Sequence, residues 1–218
     1  MDYLRRNKKV VIGSALLISL IIYMFLFRGN SEESYWKTEL SFVGSIDQGV
    51  AATGTIRSMK INIQNVRDFL SVQSSDTKIY IGVDSTRINS GEKWFADYTA
   101  VIVVHIDGKH GCKIFGETTR ELDFDQSGEK PQLRLMNEVY KVAELYLKIV
   151  DVIEGRSVEI HLDLNPDPSF MSQSVVQQAI GYIRGVCNVS PRVKPDAFAA
   201  SCAADRYRGF AQTTLEAA

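Results

Sequence analysis

Residues 157–164 read SVEIHLDL, and their alternation decides how the rest of the chain is to be read. Side chains of an extended strand point to opposite faces in turn. Val158, Ile160, Leu162 and Leu164 therefore share one face, and Glu159, His161 and Asp163 share the other. A second stretch, KIYIGV at 78–83, ends at Asp84-Ser85. There Ile79, Ile81 and Val83 share a face, while Tyr80, Gly82 and Asp84 share the opposite one. Both strands thus carry an aspartate to the C-terminal end, where open α/β sheets gather their ligands.

Working outward, Ile61, Val66, Phe69 and Leu70 have helical spacing and predict a short helix before the first strand. Tyr98–Ile106 (YTAVIVVHI) is almost continuously apolar and predicts a strand buried on both faces. Asp107-Gly108 and Gly111 mark a hairpin turn, and Lys113–Leu122 is the returning strand. Leu133–Val152 reads as one long helix. Pro166 and Pro168 make 165–169 a loop. Ser174–Arg184 is a helix with Gly185 as its stop, Val189–Val193 is a short edge strand interrupted by Pro191, and a last helix runs from Pro195 to about Gly209. The order β-β-β-α-β-α-β-α predicts a mixed α/β fold with a five-stranded mixed sheet and helices on its faces.

Positions 135, 138, 142, 145 and 149 of the long helix read Leu, Glu, Val, Leu, Ile. Glu138 is a lone carboxylate in an apolar stripe. Such a group needs a cation, a metal or a proton, and Arg134 and Lys141 are near enough in sequence to neutralise it. In the last helix Phe198, Cys202 and Asp205 align among Ala199, Ala200, Ser201, Ala203 and Ala204, small residues that permit close backbone approach. Each acid taken alone has an ordinary reading: a strand-ending aspartate turns or caps the chain, and Glu138 forms a salt bridge. Together, four acids on two strands and two helices fit one chemistry. Mg²⁺ and Mn²⁺ take oxygen ligands, and a pair of such ions can clamp the attacking and leaving oxygens of a phosphodiester.

The segments IYIGVDS (79–85), NEVY (137–140), VEIHLDLNPDP (158–168), IGYIRG (180–185) and VKPDAFAASCAADR (193–206) resemble the YkuK-type family of ribonuclease-H-like proteins. The resemblance runs from about residue 36 to 208. It implies a ribonuclease H fold and a divalent-metal-dependent nuclease that acts on RNA or DNA. It also implies that the acids holding Mg²⁺ or Mn²⁺ are Asp84, Glu138, Asp163 and Asp205. Ser85, His161 and Lys194 are the expected supporting or phosphate-contacting residues. One departure stands out: the family motif after the first aspartate reads Ser-Gln, whereas here Ser85 is followed by Thr86. The alternative is a noncatalytic module that keeps the fold and binds nucleic acid or protein. An actin-like phosphotransferase would need a glycine-rich phosphate loop that Asp84-Ser85-Thr86-Arg87 lacks. A phosphatase with an aspartyl nucleophile would want a second aspartate at position 86.

The chain has 218 residues and a formal net charge of −1. Residues 1–30 carry Arg5, Arg6, Lys8, Lys9 and Arg28 against Asp2 alone. Removing these from totals of 25 and 26 leaves 20 basic and 25 acidic residues, a body of −5. That is not the footprint of a strong nonspecific nucleic-acid binder, although bound cations invert the local charge logic. Val10–Phe27 is uncharged and apolar, predicting an anchor in a single-pass membrane protein if translation starts at Met1. A start at Met24 would remove it and predict a cytoplasmic protein. The expected organisation is 1–30 basic N-terminus and hydrophobic segment, 31–58 linker, 59–212 folded domain and 213–218 tail. Cys112, Cys187 and Cys202 form no C-x-x-C pair and read as ordinary thiols.

Overall fold

The computed structural model describes residues 60–126, 131–153 and 155–209. Helix α1 (Ile63–Ser71) is capped by Asn62, whose side chain accepts from the Asn65 N–H, and it buries Val66 and Leu70. Three antiparallel strands follow: β1 (Lys78–Ser90), β2 (Lys93–His105) and β3 (Cys112–Leu122). Next come α2 (Gln132–Leu147), the one-turn α3 (Val150–Ile153) and β4 (Ser157–Leu162). Helix α4 (Gln173–Cys187) and a final helix α5 (198–209) complete the order. The sheet runs β3-β2-β1-β4, with β4 parallel to β1 and the other pairs antiparallel.

Both faces of the sheet are covered. The larger core joins Ile79, Ile81, Val83, Ile160 and Leu162 to α1, α2 and α4. A smaller one joins Val101 and Val103 to Ala199, Ala203 and Ala204 of α5, flanked by Tyr80, Phe198 and Tyr207. Every residue from Ala96 to Val104 is buried, as expected of a central strand with two covered faces. Among them Asp97 is held by the Arg120 guanidinium through two bonds of 2.6 and 2.7 Å.

The structure corrects several expectations. Among the described residues the sheet has four strands rather than five: the 189–193 strand shrinks to a single parallel bridge between Arg192 and His161. Pro191 has no N–H to extend the ladder. Even so, Arg192 bonds Ile160 O (2.8 Å), its own carbonyl accepts from Leu162 N (2.9 Å), and Lys194 N bonds Leu164 O (3.0 Å). These bonds hold Lys194 against the end of β4. The long helix breaks at Lys148, where Arg67 of α1 takes the Lys148 carbonyl (3.1 Å) and pairs with Asp151. Helix α4 runs through Gly185, because Ile183 and Cys187 continue its buried stripe. It stops at Asn188, which adopts the left-handed conformation at φ 54°. Helix α5 begins at residue 198, not at Pro195. Strand β1 does not end at Asp84 but runs on against β2 to Ser90.

The single-pass membrane localisation is also corrected, since no helix among the described residues is long and apolar enough to cross a membrane. Residues 10–27, the alternative start at Met24, the linker 31–58 and the tail 213–218 lie outside the described residues.

Candidate metal centre

The last parallel pair of β1 and β4 is Val83–Leu162. Asp84 and Asp163 are the next residue on each chain, so the two carboxylates leave the parallel edge side by side. Strand alternation directs both to the face covered by α5. Packing there is close. A Cβ on Gly82 would lie 2.4 Å from Ala200 N and 2.6 Å from Ala199 C. The alanines of α5 therefore sit on the bare backbone of β1, as the small-residue run predicted. The helix is widened to a π-turn over Ala199–Ala203 at this contact. Further along, the Tyr207 hydroxyl donates to Gly116 O at 2.6 Å. These contacts deliver Asp205 to the edge where Asp84 stands.

Arg208 joins the two acids. Its Nη2 donates to Asp84 Oδ2 at 2.8 Å and to Asp205 Oδ1, and its Nη1 donates to Thr86 Oγ1. Burial pushes the Asp84 carboxyl above its ordinary value of 3.8, and the charges of Asp163 and Asp205 add to the rise. Arg208 opposes it without cancelling it. Asp163 is met by Lys194, whose Nζ lies 2.9 Å from Oδ1. That approach neutralises charge but lacks hydrogen-bond geometry, so Oδ1 is a buried oxygen with no hydrogen-bond partner.

Glu138 comes from the opposite face. It is 4% exposed and sits in the apolar stripe of α2. Ser85, whose side chain points away from α5, donates its hydroxyl to Glu138 Oε1. Arg134 reaches the Ser85 carbonyl (3.1 Å), the Ser85 hydroxyl and Glu138 Oε1 (3.4 Å). Lys141, the other expected neutraliser, pairs instead with Glu121. Burial pushes Glu138 well above its ordinary 4.5. Asp84 and Asp163 add to the rise, and Ser85 and Arg134 work against it.

His161 is 1% exposed, packed between Tyr80 and Phe198. Its Nδ1 accepts the Ala199 N–H at 3.0 Å, which pins the start of α5 to β4. In neutral imidazole the proton then resides on Nε2, which has no hydrogen-bond partner and lies 3.6 Å from Glu159 Oε2. Burial lowers the imidazole below its usual 6.5, with Glu159 opposing. His161 thus stands behind the site, positioning α5.

Among the described residues, no group of three or more His, Cys, Asp or Glu is drawn together closely enough to hold a metal ion. The chemistry of the donors nevertheless suits a hard cation. All four are carboxylates, two are driven toward protonation by burial and mutual repulsion, and Asp163 presents an oxygen without a hydrogen-bond partner. Positive charge is supplied here by Arg208, Lys194 and Arg134. Sequence reasoning missed Arg208 and marked Thr86 only as a departure from the family motif. The one available signal was a basic residue a helical turn beyond Asp205.

Glu138 carries a stability prediction. Its folded pKa lies above its unfolded one, so the folded state holds more protons between the two values. Stability then falls as pH rises from about 4.5 through the raised folded value. In chelator, Glu138→Gln is expected to unfold at a higher temperature than wild type at about pH 8, with the gap closing near pH 4. An identical gap at both pH values would contradict a proton-seeking Glu138.

These features define a mixed α/β protein with two aspartates, Asp84 and Asp163, side by side at the end of its parallel strand pair. The chain belongs to the Ribonuclease H-like family, which it matches over residues 62–208. No curated protein and no solved structure matches it.

Proposed function

We propose that this protein is a divalent-metal-dependent nuclease of the YkuK type that hydrolyses phosphodiester bonds in RNA or DNA. The carrying observation is geometric: Asp84 and Asp163 leave the parallel edge of β1 and β4 side by side, and Arg208 ties Asp84 to Asp205. Asp84, Glu138, Asp163 and Asp205 would hold Mg²⁺ or Mn²⁺. When bound, such ions supply an activated water and charge stabilisation for the leaving oxygen. The remaining work belongs to the chain. Ser85 and Arg134 aim Glu138 toward the end of β1. Lys194 sets its ammonium against Asp163 and faces a cleft of about 640 Å³ lined by Asn165, Asp167, Pro195 and Ser201. His161 holds α5, and with it Asp205, in place.

The test is incubation of the full chain with single-stranded, duplex and hybrid oligonucleotides. Cleavage is expected with Mn²⁺ or Mg²⁺ and none with chelator. Uncut substrates under every condition would favour the second reading, a noncatalytic module that binds nucleic acid or protein. That reading draws on the wide spacing of the acids and on the arginine between two of them.

A further inference from the structure

Arg208 lies 124 positions from Asp84 in sequence, yet its side chain is only 13% exposed and Asp84's only 16%. Asp205's side chain, by contrast, is 62% exposed. Water screens the Asp205 arm, an i,i+3 surface pair that contributes little. The hold on the guanidinium therefore comes from Asp84 and from Thr86, whose hydroxyl accepts from Nη1. Strand alternation puts Asp84 and Thr86 on one face, so the two acceptors form a fork that fits a planar guanidinium. Arginine stays charged at any working pH. It sits on the same carboxylate oxygens that a divalent cation would take.

We infer that Arg208 is a built-in competitor for the divalent cation: it neutralises Asp84 and Asp205 in the metal-free protein, and the metal loads by displacing it. This rests on reading Asp84 and Asp205 as metal ligands. Two consequences follow from the geometry. Metal affinity is set low by the chain itself, and Thr86 determines how firmly the guanidinium stays.

The test is calorimetric titration of the full chain with Mn²⁺, using wild type, Arg208→Gln, Arg208→Lys, Thr86→Val and Asp84→Asn. Removing a full positive charge next to the carboxylates is expected to tighten Mn²⁺ binding about tenfold or more in Arg208→Gln. Thr86→Val, which keeps the charge and loses only the hydroxyl, should tighten it by a few-fold. Arg208→Lys, which keeps the charge but loses the fork, should fall between wild type and Arg208→Gln. A second readout needs no metal: in chelator, Arg208→Gln should melt below wild type, because buried Asp84 loses its counter-charge. Saturating Mn²⁺ should close that gap.

Unchanged or weaker Mn²⁺ binding in Arg208→Gln and Thr86→Val overturns the inference. Should Arg208→Gln fail to fold, Thr86→Val decides alone. Mn²⁺ binding to Asp84→Asn as strong as to wild type removes the metal reading and the competitor together. Tighter binding in Arg208→Gln without hydrolysis of any oligonucleotide keeps the competitor and sinks the nuclease.

Discussion

Asparagine in place of Asp84 is expected, on the proposed nuclease reading, to cut metal-dependent hydrolysis by on the order of 10²–10³-fold, the scale seen when one preorganised electrostatic group is lost from an active site. The substitution preserves shape and removes only charge. It should therefore leave the fold intact, because the carboxylate is a strained element of the metal-free protein: burial and two like-charged neighbours already push it toward protonation. Asparagine also keeps an oxygen for Arg208. The expected signature is a folded variant with near-native melting in chelator and no stabilisation by Mn²⁺. Activity equal to wild type would show that the acid cluster is not the catalytic centre. Loss of activity with loss of folding would show that the Asp84–Arg208 pair is mainly structural.

The largest stability effect is expected at Gly82. A methyl group there would meet Ala200 N at 2.4 Å, Ala199 C at 2.6 Å and Ala200 Cα at 2.8 Å. All three are backbone atoms, so no side chain can swing aside and α5 must lift from β1. Overpacking of this kind costs about 1–3 kcal/mol and sometimes more. Lifting α5 also withdraws Asp205 and Arg208 from Asp84, so Gly82→Ala should disturb the acid site along with stability. Gly181→Ala supplies the contrast. It lies within α4, and nothing stands within 4 Å of its added Cβ. There the same methyl group should stabilise by roughly 0.5–1 kcal/mol, since glycine inside a helix is the costlier residue. Urea denaturation of both variants checks the pair. A Gly82→Ala variant as stable as wild type would mean that α5 does not rest on the Gly82 backbone.

Most of the elements, and the face each acid occupies, were legible in local pattern. A period of two placed Asp84 with Gly82 and Asp163 with His161, and a period near 3.6 placed Glu138 inside the stripe of α2. The alanine run announced a close contact, although not that Gly82 would receive it. Boundaries were less legible where a partner decided them. Strand β1 runs past Asp84 because β2 continues to pair with it, and the helix after β3 breaks where Arg67 takes the Lys148 carbonyl.

The sequence by itself determined which residues are acidic, which face each one takes and which stripe Glu138 interrupts, because side-chain direction follows from backbone period alone. Tertiary structure decided what those acids meet. It brought Glu138 in from the far face through Ser85, set Lys194 against Asp163 through the Arg192 bridge, and closed Arg208 over Asp84 and Thr86. Those contacts join residues up to 124 positions apart, and only the packing of α5 onto the bare backbone of β1 makes them neighbours.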